Sequence, residues 1–307
     1  MTTATLALPT APVVVSGASG LVGQELCHTL AAHGVGVRRL VRGGASDPGT
    51  VAWDPVAGRV DVDGLKGCGA VVHLAGENIA EGRWTTAKKQ RIRDSRVQGT
   101  RLLCEALARM PQPPATLVCA SAIGIYGDRG DELLTEDSAT GTGFLAEVGV
   151  AWEEATRPAV DAGVRVVQLR IGIVLTRQGG ALARMLLPFR CGLGGVVGHG
   201  RQYWSWVTLP DLVQMVEFAL ATPTLRGPVN AVAPQAVTNR EFTKVLGRVL
   251  RRPTLFPLPA LVGRLVLGEM SDALLLASTR VVPARLQAAG YRFLHPALDE
   301  ALRAVLQ

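Results

Sequence analysis

The sequence predicts an α/β protein built on a Rossmann-type, doubly wound parallel sheet with a smaller C-terminal substrate lobe. Three observations predict it. Apolar runs alternate with helix-patterned segments about six times over the first 175 residues. Glycines recur every third position directly after the first apolar run. At 307 residues, 48% hydrophobic and 19% charged, the chain is long enough for a full α/β core and too apolar for disorder.

The first element is Val13-Val14-Val15, a buried strand, followed by Ser16-Gly17-Ala18-Ser19-Gly20-Leu21-Val22-Gly23 and a helix continued by Leu26 and Leu30. Strand, tight glycine turn and helix make a dinucleotide-binding turn. Gly17 permits the bend, Gly20 lets backbone N–H groups approach a pyrophosphate, and Gly23 lets the helix pack closely. Residues 35–41 read as a second strand. An NAD site usually carries Asp or Glu near the end of that strand, to hold the ribose 2′-OH. This chain has Arg42, which can pair with a 2′-phosphate, so the cofactor expected is NADP(H).

Thr50–Trp53 is a short strand candidate, and residues 58–67 are turn-rich. Ala70–Leu74 is an apolar strand ending in Ala75-Gly76-Glu77, where small residues let backbone pass close to a cofactor. Leu74, Ala75, Gly76 and Glu77 therefore join the expected cofactor site. Residues 84–110 carry a helical pattern, with Arg96 a candidate for phosphate or ribose, and Pro111 follows. Leu117–Ala120 is the next strand and leads into Ser121-Ala122-Ile123-Gly124-Ile125-Tyr126-Gly127. Residues 128–143 read as a loop, Phe144–Ala162 as a helix and Val164–Leu175 as a strand. Beyond Thr176 the alternation loosens: residues 176–204 are glycine-rich without a clear strand, and Asp211 is placed to cap a helix running to Ala221. The expected organisation is a flexible tail (1–12), an NADP-binding Rossmann domain (13–175, to which 209–228 returns), and a smaller lobe from 176–208 and 229–307.

Composition bounds the function. The net charge is +7, but only four of the 32 basic residues are lysines and the arginines form no long run, so no nucleic-acid partner is expected. The five cysteines (27, 68, 104, 119 and 191) are scattered and form no CxxC pair, which fits reduced thiols in a cytoplasmic protein. The five histidines (28, 33, 73, 199 and 295) form no HxxxH-type pair, so no metal is expected. No run approaches ~20 uninterrupted apolar residues, and no membrane partner is expected.

The order of parts from Val13 to Leu306 resembles the extended short-chain dehydrogenase/reductase superfamily, and Ser121–Gly127 resembles its Ser-x-x-x-x-Tyr-Gly segment. The resemblance implies that Ser121 orients a substrate oxygen and that a Tyr-x-x-x-Lys pair about 25 residues later moves the proton. That pair is missing. The only tyrosines are Tyr126, Tyr203 and Tyr291, and near the expected register stand Phe144 and Val148. A narrower resemblance accounts for the gap. The run from His73 to Ala80 with Arg83-Trp84, Arg93-Asp94-Ser95-Arg96, Trp152-Glu153, Ser205-Trp206-Val207 with Asp211, Arg280-Val281-Val282-Pro283, and Gly290-Tyr291-Arg292-Phe293 with Pro296 are together similar to an atypical epimerase family within that superfamily. Its members carry a C-terminal DUF1731 region and do not reliably keep the Tyr/Lys pair.

The resemblance implies an NADP(H)-binding oxidoreductase or epimerase-like protein acting on a small polar or sugar-nucleotide substrate. Its alternative is a non-catalytic NADP(H)-binding regulator, with a link to cell division among the relatives. Ser121 and Tyr126 are the candidate catalytic residues, with Asp128, Glu147 and Glu153 as other proton carriers and His199 and Tyr203 as substrate contacts. The cofactor set is Gly17, Ser19, Gly20, Leu21, Val22, Gly23, Arg42, Leu74, Ala75, Gly76, Glu77 and Arg96. The helical stripe of residues 84–110 suits either a homodimer or the core.

Overall fold

The computed structural model describes residues 7–44 and 47–307. Eight strands form the central sheet: β1 (Val13–Ser16), β2 (Val37–Arg42), β3 (Thr50–Asp54), β4 (Arg59–Val60), β5 (Ala70–His73), β6 (Thr116–Ala122), β7 (Arg165–Ile171) and β8 (Gly227–Ala231). Their order is β8-β7-β6-β5-β1-β2-β3-β4, all parallel except the β3–β4 pair. The chain goes one way from β1 to β2 and returns on the other side to β5. Ligands in open parallel sheets bind outside the carboxyl ends of strands at such a reversal.

β1 is apolar on both faces because both faces are covered. Val13 and Val15 pack with Leu26 and Leu30 of helix α1 (Leu21–Ala32). Val14 packs on the other side with Leu103 and Leu107 of helix α2 (Thr86–Ala108) and Trp152 of helix α3 (Phe144–Glu154). β2 tolerates its arginines because Arg38 donates to the carbonyls of Gly64 and Lys66 at the sheet's flank.

The helix expected over 144–162 is two helices. α3 ends at Glu154, and a short turn Arg157–Asp161 follows with Pro158 in its first turn, where a missing N–H costs nothing. The strand expected over 164–175 also divides. β7 ends at Ile171, and Ile173–Leu175 leaves the sheet to pair with Trp206–Thr208. Gly172 makes the step: a Cβ there would lie 2.7 Å from the Ser205 carbonyl oxygen.

Helix α4 (Gly180–Arg190) lies inside the stretch read as glycine-rich. Helix α5 (Leu209–Ala221) packs on α1, and β8 extends the sheet beside β7. Thr208, not Asp211, caps α5: its hydroxyl accepts from Asp211 N–H, which leaves the Asp211 carboxylate for other partners. Helices α6 (Asn239–Leu250), α7 (Ala260–Leu267) and α8 (Leu298–Leu306) follow. A separate hydrophobic cluster gathers Leu182, Trp204, Trp206, Phe242 and Leu302. Of the expected tail, residues 1–6 lie outside the described residues. Leu8 packs against the core, and the Pro12 carbonyl accepts from Gly69 N–H at 2.9 Å.

Candidate functional site

At the carboxyl end of β1 the chain turns through Gly17, whose φ of +68° favours glycine. A Cβ on Gly17 would lie 2.9 Å from the backbone nitrogen of Ala75, so the glycine turn and the end of β5 touch directly. Gly20 precedes α1 in an extended conformation without a side-chain cap, and the first helical bond runs from Gln24 N–H to the Gly20 carbonyl. The N–H groups at the start of α1, in Leu21 and Val22, thus face outward beside exposed Ser19. Gly23 is buried, and a Cβ there would sit 2.2 Å from the Gly17 carbonyl oxygen.

A buried hydrogen-bond chain holds this turn in place. Ser16 Oγ accepts from the N–H groups of Leu74 and Ala75 at 3.1 and 3.3 Å, and meets His73 Nδ1 at 2.6 Å. With two N–H groups already directed at it, the hydroxyl donates to Nδ1, and His73 Nε2–H donates to Thr100 Oγ1 at 3.0 Å. The same Thr100 oxygen accepts from Trp152 Nε1–H. His73 is wholly buried, and burial draws its pKa down to about 4, so the ring stays neutral near pH 7. The chain ties β1 and β5 to α2 and α3. Sequence reasoning gave His73 no role; a polar residue inside an apolar strand was the available signal.

Arg96 reaches back from α2 to the backbone after β5. A Cβ on Gly76 would lie 3.3 Å from its guanidinium carbon, which stands 5.0 Å over the Trp152 ring. Nη1 donates to the Glu77 carbonyl at 3.0 Å. Burial lowers the Arg96 pKa to about 10 against the pull of Glu77, so it remains cationic, with no carboxylate in ion-pair range among the described residues. Glu77 itself is engaged: its carboxylate accepts from Lys88 at 2.7 Å, and this contact first, with Arg91 further off, lowers its pKa. Arg42 ends β2 exposed, also without a carboxylate in ion-pair range among the described residues.

The ends of β6, β7 and β8 carry a second network. Ser121 Oγ donates to Glu153 Oε1 of α3 at 2.7 Å. Both Glu153 oxygens accept from Arg170 of β7 at 2.8 Å, a bidentate pair with little exposure. Arg170 Nη1 also donates to the Tyr126 hydroxyl at 2.9 Å, and that hydroxyl lies 2.7 Å from Asn230 Oδ1. Tyr126 is fully buried, and burial first, partly offset by Arg170, raises its pKa. Its phenol thus lies behind Arg170, while Ser121, also buried at 2% exposure, stands at the carboxyl end of β6. Where a Tyr/Lys pair would stand, Phe144 makes an edge-to-face contact with Trp84 (5.2 Å between centroids) and Val148 is buried.

The other candidates are dispersed. Asp128 accepts from the N–H groups of Gly130 and Ser278, Glu147 and His199 are exposed, and Tyr203 lies under the Arg280 guanidinium. The C-terminal motifs form a clasp. Ser205 Oγ accepts from Val281 N–H at 2.9 Å, and the Asp211 carboxylate accepts from the N–H groups of Leu294 and His295 at 2.8 and 3.0 Å.

The glycine turn at a sheet reversal, an uncapped helix start and an unpaired cation on either side suit an anionic dinucleotide. This is the architecture of a Rossmann nucleotide-binding protein. Residues 13–231 match the NAD dependent epimerase/dehydratase family, and residues 258–305 match the domain of unknown function DUF1731. The chain belongs to that epimerase/dehydratase family. It is 45% identical over 292 residues to an epimerase family protein of Mycobacterium tuberculosis, covering 95% of this chain and 96% of the relative. The crystal structure of human epimerase family protein SDR39U1 (isoform 2) with NADPH superposes with a TM-score of 0.87 at 35% identity, covering 96% of this chain and 98% of that one. A nucleoside-diphosphate sugar epimerase from Corynebacterium glutamicum gives a TM-score of 0.81 at 36% identity, covering 97% of this chain and 58% of that longer chain.

Proposed function

We propose that the protein binds NADP(H) and acts as an oxidoreductase or epimerase on a small polar or sugar-nucleotide substrate. The Gly17–Gly23 turn and the start of α1 would hold the pyrophosphate, Leu74–Glu77 and Arg96 would flank it, and Arg42 would take the 2′-phosphate. The human relative crystallised with NADPH supports the cofactor, and the sugar-nucleotide epimerase relative supports the substrate class. When bound, the nicotinamide supplies or accepts a hydride at the substrate carbon.

The observation that carries the catalytic reading is the 2.7 Å hydrogen bond from Ser121 to Glu153 at the carboxyl end of β6. In the oxidative direction Ser121 Oγ takes the substrate hydroxyl proton as its own proton passes to Glu153 Oε1; reduction reverses both transfers. Arg170 fixes the carboxylate by two hydrogen bonds, so the proton path is oriented before substrate arrives. Tyr126 supports Arg170 from within, and the proton route does not need its phenol.

The regulator reading draws on one observation: Phe144 and Val148 occupy the Tyr/Lys register and carry no exchangeable proton. One experiment separates the two. NADPH deuterated stereospecifically at C4 is incubated with a panel of carbonyl compounds and sugar nucleotides, and label transfer is read by mass spectrometry. An enzyme transfers label, and Glu153→Gln slows transfer roughly 100-fold or more, in the range of general acid–base catalysis, while NADPH affinity holds. Silence across the panel with NADPH bound leaves the regulator. In the same titrations NADPH binds more tightly than NADH, and Arg42→Ala narrows the gap; equal affinities in the unaltered protein refute the assignment of Arg42.

A further inference from the structure

The chain presents a face that the dinucleotide site does not use. Leu187 of α4, Leu193 and Leu255 and Phe256 in the loops after α4 and α6, and Leu261 and Leu265 of α7 are 57–75% exposed. Backbone contacts place these segments side by side. Leu193 N–H donates to the Pro188 carbonyl, Leu258 N–H donates to Val196, and a Cβ on Gly195 would lie 2.1 Å from the Phe256 carbonyl oxygen. Pro253, Pro257 and Pro259 stiffen the loop that carries Leu255 and Phe256.

Arginine is in excess in the segments that build this face. The chain holds 25 acidic residues, yet none lies between Thr176 and Pro210 or between Phe242 and Gly268. Arg264 pairs with Asp272. Arg184, Arg190, Arg251 and Arg252 are exposed and have no carboxylate in ion-pair range among the described residues. Arg184 and Arg252 donate only to backbone carbonyls, of Ala80 and Arg190. Exposed aliphatic and aromatic side chains in the same segments as arginines that lack carboxylate partners match an anionic lipid surface: the apolar groups enter the headgroup boundary and the guanidinium groups meet the phosphates. We infer that this face docks the protein peripherally on anionic lipid bilayers. No helix of the described residues is long and apolar enough to span a membrane. The expectation of no membrane partner rested on that span criterion, which does not see a surface assembled from separate segments.

Flotation of the full chain with NADPH present tests the inference, using vesicles of phosphatidylcholine alone or with about one third phosphatidylglycerol. The protein floats with the anionic vesicles, not the neutral ones, and is released by high salt. Arg251→Glu with Arg252→Glu lowers partitioning roughly tenfold or more, and Leu255→Ser with Phe256→Ser lowers it comparably. The substituted side chains are exposed and only Arg252 gives up a hydrogen bond, to the Arg190 carbonyl; NADPH affinity therefore remains as in the unaltered protein, the thermal midpoint falls only slightly, and both serve as fold controls. Absence of flotation overturns the inference. Loss in the arginine variant with full retention in the Leu255/Phe256 variant also overturns it, since it would show polyanion attraction without insertion. So would a dimer in sedimentation equilibrium that Phe256→Ser dissociates, which would assign the face to a second copy of the chain.

Discussion

Gly20 and Gly23 lie three residues apart, and the structure assigns them opposite sensitivities. Gly20 has φ −78° and ψ 166°, a conformation open to any residue, and a Cβ there meets only the Gly17 carbonyl oxygen, at 3.2 Å. Gly20→Ala therefore leaves the fold nearly intact: a poorer cap residue costs about 1 kcal/mol, and the stiffer unfolded chain returns part of that. The same methyl fills space a pyrophosphate would occupy above α1. Loss of about 3 kcal/mol of binding corresponds to roughly 100-fold weaker NADPH affinity. At Gly23 a Cβ would lie 2.2 Å from the Gly17 oxygen and 2.8 Å from Ala18 Cα, both backbone, so the turn itself must shift. Overpacking of this kind costs about 1–3 kcal/mol without any ligand present. Thermal unfolding of the apoprotein and fluorescence titration with NADPH measure the two effects separately. Gly20→Ala should lose affinity with only a small fall in melting temperature, whereas Gly23→Ala should lose both. NADPH binding to Gly20→Ala within about threefold of the unaltered protein would refute the placement of the phosphates, and an unchanged melting temperature for Gly23→Ala would refute the packing argument.

Two further outcomes follow from buried polar groups. His73 has its pKa drawn from 6.5 to about 4 by burial, so the unfolded state binds its proton first as pH falls. Its contribution is whole above about pH 6.5, declines through that window and is exhausted near pH 4, a loss of about 3 kcal/mol; His73→Gln should flatten this part of the stability–pH curve, and an unchanged curve would count against a neutral buried ring. Asp211→Ala removes the acceptor of the part-buried Leu294 and His295 N–H groups, costing about 0.5–1.5 kcal/mol per hydrogen bond lost; hydrogen exchange at those two amides should accelerate sharply, and unaltered protection would remove Asp211 from the clasp.

The centre of the sheet was legible because β1, β5 and β6 are buried on both faces and each announces itself as a short apolar run. Val13–Val15, Ala70–Val72 and Leu117–Ala120 needed no knowledge of their neighbours. Failures fell where tertiary contact decides the outcome. Val164–Leu175 is one continuous pattern, yet it breaks at Gly172 because the Ser205 carbonyl and Val232 approach too closely for a side chain. Helix Gly180–Arg190 was hidden by flanking glycines and by Pro188 in its last turns, although Leu182, Leu186 and Phe189 bury one stripe in the cluster with Trp204 and Phe242. Asp211 looked like a cap because the preceding Thr208 offers the same chemistry; only the fold shows which of the two holds the helix and which holds the C-terminal segment.

The candidate site divides along the same line. The glycine turn is contiguous, so its spacing alone implied an anionic ligand. The Ser121–Glu153–Arg170 unit spans separations of 32 and 17 residues, and no periodicity links its members. Glu153 appeared in the sequence as one of several acids and Arg170 as a charge in a strand. Together they form a buried ion pair whose two charges cancel only in this geometry, and removing one partner from such a pair costs about 3–5 kcal/mol. Stability alone therefore gives reason to keep both residues, whatever the chemistry. That is why the Glu153→Gln test is read on label transfer at unchanged NADPH affinity and not on folding. A structural pair would lower the melting temperature and leave transfer per folded molecule intact, whereas a proton path would lose transfer even where the fold survives.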